Sequence, residues 1–200
     1  MADTTFGFIG FGLIGGSIAK SIRRSCPEAR IMAYMRSRSK LEQAKQDGIV
    51  DLILDEPGSQ LSQCDIIFLC TPVEYNAGYL EAVRPFLKEG ALITDVGSTK
   101  TSIHQAASQL GMEKVIITPT PLSRQEDIDR MVQVAKLSDA IPIVMDYREH
   151  DRIVAAISHL PHLIASSLVN LVRDSDNQQE LMKRLAAGGF KDITRIASSS

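Results

Sequence analysis

The stretch Phe6-Gly7-Phe8-Ile9-Gly10-Phe11-Gly12-Leu13-Ile14-Gly15 decides the fold. Its first four residues read as a buried strand, and residues 13–24 behind the glycines read as an amphipathic helix. Between strand and helix stands the spacing Gly-x-Gly-x-x-Gly. Gly10 permits the tight turn, Gly12 lets the backbone approach a pyrophosphate, and Gly15 lets the helix pack on the sheet. The unbonded N–H groups and the dipole at the helix start favour the negative charge of that pyrophosphate. Gly10, Gly12, Leu13, Ile14 and Gly15 are therefore candidate dinucleotide contacts.

Reading outward, strands are expected at residues 30–34, 49–54, 65–70 and 91–95, and helices at 39–47, 76–87 and 99–110. Strands that lack polar alternation are covered on both faces, which requires a parallel sheet with helices outside. The pattern is that of an α/β protein with a doubly wound parallel sheet, the Rossmann arrangement. After residue 115 the rhythm changes. Residues 116–120 read as strand and turn. A helix is expected at 123–137, opened by Ser123 with Glu126 three residues on, as in a capping box. Residues 140–145 read as an edge strand interrupted by Pro142. From Asp146 onward the chain reads as helical apart from a break at Gly188-Gly189. This organisation predicts a dinucleotide-binding domain at 1–147 and the start of an all-α domain at 148–200.

The ribose pocket departs from the usual NAD fingerprint, which places a carboxylate about 20 residues past the glycines. At the end of the second strand stand Tyr34-Met35-Arg36-Ser37-Arg38 instead. Arg36, Ser37 and Arg38 offer a fork, a hydroxyl and a second fork for a 2′-phosphate. NAD or NADP is the expected cofactor, with a slight preference for NADP. Two further loops fall at strand C-terminal ends, where such a sheet holds its ligand. Thr71-Pro72 and Val96-Gly97 would shape the backbone over the cofactor, and Ser98 would project a hydroxyl toward its nicotinamide end.

In the tail, Ser158-His159-Leu160-Pro161-His162 places a proline inside a helical run, which removes one backbone bond and bends the helix. His159 and His162 are three apart and so share a face. Lys191 and Arg195, four apart beyond the glycine pair, could clamp a carboxylate. No Cys, Asp or Glu stands at ligand spacing from these histidines, so no metal is expected.

The 200 residues are 44% hydrophobic and 23% charged, an ordinary composition for a globular chain with its own core. A net charge of -2 gives no field for nucleic acid or an anionic membrane surface. Three cysteines without CxxC spacing, no leader pattern at the N-terminus, and no apolar stretch judged long enough for a bilayer point to a cytoplasmic protein.

Taken in order, Gly10 to Gly16, Thr71-Pro72, Asp95-Val96-Gly97-Ser98-Thr99-Lys100, Ser158 to His162, and Gly188 to Ala197 resemble the prephenate/arogenate dehydrogenase family over nearly the whole chain. The resemblance implies a Rossmann domain followed by an all-helical dimerisation domain, and hence a homodimer. It implies oxidative decarboxylation of prephenate to 4-hydroxyphenylpyruvate, or of arogenate to tyrosine. By the same resemblance Ser98 orients the ring hydroxyl, His162 and Arg195 bind substrate, and His159 and Lys191 are secondary candidates. A different nicotinamide enzyme of this fold would be expected to carry a catalytic lysine in the helical domain instead.

One part of the family pattern is missing. The family carries a His-Pro-Met-Ala-Gly-Ser-Glu-like segment whose histidine is the general base, whereas here Glu113-Lys114-Val115 runs straight into Ile116-Ile117. None of His104, His150, His159 and His162 has that context, and His104 reads as a surface residue. The join at 115/116 reads as a missing segment. A true deletion would instead leave a non-catalytic dinucleotide-binding module.

Overall fold

The computed structural model describes residues 3–110, 119, 123–137 and 140–198. The expected strand at 116–120 and the join at 115/116 lie outside the described residues. The chain divides into two compact units, Met1–His150 and Asp151–Ser200.

The first unit is built on five parallel strands: β1 (Thr5–Ile9), β2 (Arg30–Tyr34), β3 (Leu52–Ile53), β4 (Ile66–Leu69) and β5 (Leu92–Asp95). Their order is β3-β2-β1-β4-β5, so the chain reverses direction of travel beside β1. The register pairs Phe8 with Ala33 on one side and Phe68 on the other. Helices α1 (Leu13–Ser25), α2 (Arg38–Gln46), α3 (Val73–Val83), α4 (Thr101–Gln109) and α5 (Gln125–Leu137) complete the unit. Helix α3 begins three residues earlier than the periodicity suggests, immediately after Pro72. Helix α5 begins at Gln125, two residues later than expected, with Glu126 and Asp127 in its first turn.

Alternate residues of each strand feed opposite layers, as the period of two requires. Phe6, Phe8, Ile31, Ile66 and Phe68 pack with Ala19 and Ile22 of α1, Leu41 of α2 and Val134 of α5. Ile9, Met32, Ile67, Leu69 and Ile93 pack with Leu80 of α3 and Ile103 of α4. Phe8 and Phe68 stack with centroids 5.0 Å apart and planes at 10°. Truncating either to alanine is expected to cost about 3–5 kcal/mol.

Residues 140–146 form no strand, which corrects the expected edge strand. Pro142 has no N–H for a ladder, and Ile141 and Ile143 are exposed. His104 is buried rather than at the surface: its ring stacks on Tyr147 at 4.3 Å.

The helical run from Tyr147 comprises α6 (Tyr147–Val154), a π-turn at Ala155–His159 and α7 (Leu160–Ser175). It continues through Pro161, which stands in the first turn of α7, where a missing N–H costs least. At 29 residues, Tyr147–Ser175 is long and apolar enough to cross a membrane by length and composition, which corrects the expectation that no stretch is. One break falls at residues 176–180, where Glu180 takes a left-handed φ of 52°, and a second at Ala186-Ala187, directly before Gly188-Gly189, which open the next helix. Asp176 accepts the N–H groups of Asn177, Met182 and Lys183 at 2.9–3.0 Å, fixing the start of α8 (Leu181–Leu185). Helix α9 (Gly188–Thr194) and the final turn pack back on α7.

Candidate functional site

In the first unit, the C-terminal ends of β1, β4 and β5 open into a cleft of about 660 Å³. Three loops line it: residues 12–14, 71–74 and 96–99. A second lobe of about 310 Å³ adjoins it between the glycine turn and the end of β2.

The glycine turn has the geometry a dinucleotide needs. Gly10 has φ +92°, and a Cβ there would lie 2.5 Å from the Cys70 carbonyl oxygen. Its N–H donates to the Tyr34 carbonyl at 2.8 Å, which ties the turn to β2. Around Gly12 nothing lies within 4 Å of a Cβ position, so a ligand can approach the backbone there. Gly15 sits beneath, where a Cβ would meet the Gly10 carbonyl oxygen at 2.7 Å. Helix α1 starts on Gly12 with no side-chain cap and no acidic residue in its first turn. Its first N–H groups thus face the cleft with no anion of their own, and a pyrophosphate fits that cradle. Leu13 and Ile14 are exposed at the cleft wall.

Arg36 and Ser37 line the second lobe, and no carboxylate does. The Arg36 guanidinium lies over the Tyr75 ring, 5.6 Å from its centroid. Arg38 does not line the lobe. It pairs with Asp55 at 2.5 Å and with Glu42 at 3.9 Å.

Thr71, Pro72, Val96, Gly97 and Ser98 all reach the main cleft. Thr71 donates from Oγ1 to the buried Asn76 at 2.6 Å. Ser98 is exposed at the tip of a loop that leaves β5 at Asp95 and enters α4 at Lys100. Cys70 packs against the core and also lines both lobes. Burial pushes its thiol up to about 12, with the Asp95 carboxylate adding to the effect, so it is a poor nucleophile. The Asp95–Lys100 pair beneath the Ser98 loop escaped the sequence reading. Its signal was a carboxylate ending an otherwise apolar strand with a lysine five residues on.

In the second unit, the His162 ring bonds through Nδ1 to the Ser158 carbonyl oxygen at 2.9 Å. A carbonyl only accepts, so the bond places the proton on Nδ1 and leaves Nε2 as the acceptor of the neutral ring. The contact between Ser158 and His162 thus runs through the Ser158 backbone carbonyl. His159 closes the π-turn, Lys191 lies on α9, and Arg195 opens the turn after it. Among the described residues, no group of three His, Cys, Asp or Glu gathers to hold a metal.

Comparison with known proteins bears on both units. Residues 18–137 match the family model described as prephenate dehydrogenase, nucleotide-binding domain, and residues 146–200 match prephenate dehydrogenase, dimerization domain. The prephenate dehydrogenase of Bacillus subtilis is 34% identical over all of this chain and 62% of its own length. That alignment runs over 230 positions against the 200 residues of this chain, so the relative carries at least 30 residues within the span that have no counterpart here. The prephenate dehydrogenase of Aquifex aeolicus, solved with hydroxyphenyl propionate and NAD+, superposes with a TM-score of 0.89 at 25% identity, covering 100% of this chain and 80% of that one. The Synechocystis arogenate dehydrogenase gives 0.81 at 28% identity, over 98% and 80%. This chain thus spans about three-fifths of the Bacillus relative and four-fifths of the two solved structures.

Proposed function

Because the chain belongs to the prephenate dehydrogenase family, we propose that it oxidatively decarboxylates prephenate to 4-hydroxyphenylpyruvate with hydride transfer to NAD(P)+, in tyrosine biosynthesis. The observation that carries this reading is the main cleft. There the uncapped start of α1 faces the Ser98 loop across a space of about 660 Å³. When bound, the nicotinamide would supply the hydride acceptor. The α1 N-terminus and Gly12 would hold the pyrophosphate, and the loops at Thr71-Pro72 and Val96-Gly97 would position the cofactor against the substrate.

Ser98 meets the substrate ring hydroxyl and keeps it aligned while its proton leaves and C4 gives up hydride. Loss of carbon dioxide then makes the ring aromatic, and the proton returns to the ring oxygen. In the second unit, His162 and Arg195 bind substrate, with Arg195 facing a substrate carboxylate, and His159 and Lys191 are secondary contacts. The hydroxyphenyl compound held by the Aquifex relative has the aromatic ring of the proposed product.

We place the general base in a segment missing at the 115/116 join, which relatives carry and which the working enzyme needs in place. The shortfall of at least 30 aligned residues also favours a second reading, a dinucleotide-binding module without turnover. The Synechocystis relative supports arogenate as the alternative substrate. NADP is preferred slightly over NAD, because Arg36 and Ser37 line the ribose lobe where no carboxylate does. The protein is a cytoplasmic homodimer, in which exposed Leu160, Leu163, Ile164 and Leu171 cover one another rather than meet lipid. The domain boundary falls near residue 147. Assaying reduced nicotinamide with prephenate and with arogenate, each with NAD+ and NADP+, tests the reading. Reduction with neither substrate overturns it in favour of the binding module.

A further inference from the structure

Among the buried polar side chains of the first unit, Asp95, Lys100 and Asn76 gather at the root of the Ser98 loop and have no part in the chemistry described above. Asp95 ends β5 and Lys100 precedes α4, so the loop between them is the one that carries Ser98 into the cleft. Lys100 Nζ donates to Asp95 Oδ1 at 2.8 Å and to the Asp95 carbonyl at 3.2 Å. The other carboxylate oxygen accepts the Gly97 N–H at 2.7 Å. The two side chains are 0% and 7% exposed. Gly97 is pressed so closely on this pair that a Cβ would lie 2.6 Å from Asp95 Oδ2 and 2.9 Å from Val73 Cγ2. Asn76 is buried on α3. Its Oδ1 accepts from Thr71, and its Nδ2 has no partner among the described residues and lies 3.6 Å from the Gly97 Cβ position.

Charges taken out of water gain little net stability over a well-packed apolar pair. The neighbouring strands β1 and β4 end on Ile9 and Leu69, which shows that this sheet tolerates apolar strand ends. What an ion pair supplies and two apolar residues do not is direction. Three hydrogen bonds fix the root of the loop at both ends and in the middle. A hydroxyl that must align a reacting group gains from such a support, since small displacements of reacting groups are costly.

We propose that Asp95 and Lys100 are positioning residues for the reaction: their buried pair sets the height and direction of the Ser98 hydroxyl before ligands bind, and Asn76 couples that loop to Thr71. The inference rests on the reading of Ser98 as the group that meets the substrate hydroxyl.

The test compares the full chain with Ser98→Ala, with the double variant Asp95→Asn/Lys100→Met, and with the two combined. The double variant leaves no unpaired buried charge. Steady-state kinetics and amide hydrogen exchange are both read. In the double variant, exchange at residues 96–99 is expected to speed by about tenfold or more, with β4 and α1 unchanged. Its kcat is expected to fall by nearly the factor seen for Ser98→Ala, with KM little moved. Adding Ser98→Ala to it is expected to cost no more than about twofold further, because both changes remove one effect. Unchanged exchange at 96–99, or effects that multiply, would overturn the proposal. If the double variant does not fold, Gly97→Ala displaces the loop with the pair intact. It is then expected to lower kcat and speed the same exchange, and wild-type values would overturn the proposal. If the wild-type chain turns over neither prephenate nor arogenate, the functional reading fails, and the exchange result alone decides whether the pair holds the loop.

Discussion

Nδ1 of His162 lies 2.9 Å from the carbonyl oxygen of Ser158, one turn earlier on the helical run of the second unit. The bond fixes the tautomer and leaves Nε2 outward. His162→Asn preserves a donor near Nδ1 but removes Nε2, whereas His162→Ala removes both. If Nε2 binds substrate, the two variants raise KM for prephenate alike, by about tenfold to a hundredfold, the worth of one such bond. A normal KM in His162→Asn would assign the residue to helix structure alone.

Gly10→Ala places a methyl group 2.5 Å from the Cys70 carbonyl at φ +92°. The strain of such a residue is about 1–3 kcal/mol, and the displaced turn spoils the approach to Gly12. Cofactor affinity by calorimetry is expected to drop by roughly a hundredfold or more. Gly12→Ala, with nothing near its Cβ position, is expected to keep the melting temperature and lose affinity only through ligand contact.

How much of this was legible in advance depended on locality. The turn at Gly10 and the strand ending at Leu69 depend on neighbours within a few residues, and both were readable. The fates of Arg36 and Arg38 were not distinguishable, because only the fold brings Asp55 to Arg38 and Tyr75 to Arg36. For the same reason nothing local pairs Asp95 with Lys100. Pro161 reads as an interruption of the helical run, but the π-turn at Ala155–His159 that precedes it has no local signal. Residues 140–145 had the composition of a strand but not the donor set, since Pro142 interrupts it. His104 seemed a surface residue because its stacking partner, Tyr147, lies 43 positions on.

The ribose lobe separates the two arginines by function. Arg36→Ala is expected to lower kcat/KM for NADP+ about tenfold more than for NAD+, the loss of one charge-assisted contact. Arg38→Ala, committed to Asp55, should leave that ratio within about twofold. Equal losses for both cofactors in Arg36→Ala would count against NADP as the preferred one.

Cys70 lines the cleft but its thiol is held up to about 12, as is that of Cys64. At about pH 8 only about one Cys70 in 10⁴ is a thiolate. Alkylation followed by peptide mapping is expected to mark Cys26 first and to leave cofactor binding intact. Rapid labelling of Cys70 would contradict this.

Asp65 anchors the start of β1, accepting the Thr5 N–H at 2.7 Å and pairing with Lys88 at 2.7 Å. Burial works against its ionisation, but these two partners outweigh it and hold the carboxyl below its ordinary 3.8. A depressed carboxyl stabilises the fold fully above the unfolded value and loses that contribution as pH falls through the lower, folded one. Denaturation midpoints measured across acid pH should therefore fall more steeply below 3.8 in the native chain than in Asp65→Asn, which is less stable at neutral pH. Parallel curves would show that Asp65 carries none of the acid sensitivity.

A working dehydrogenase and a cofactor-binding module differ most directly in the formation of reduced nicotinamide by the purified protein, with the segment at the 115/116 join in place, on adding prephenate in the presence of NAD+ or NADP+. A dehydrogenase gives reduction that depends on prephenate, matched mole for mole by carbon dioxide and abolished or strongly slowed in Ser98→Ala. Tight cofactor binding with no reduction from prephenate or arogenate would contradict the dehydrogenase reading.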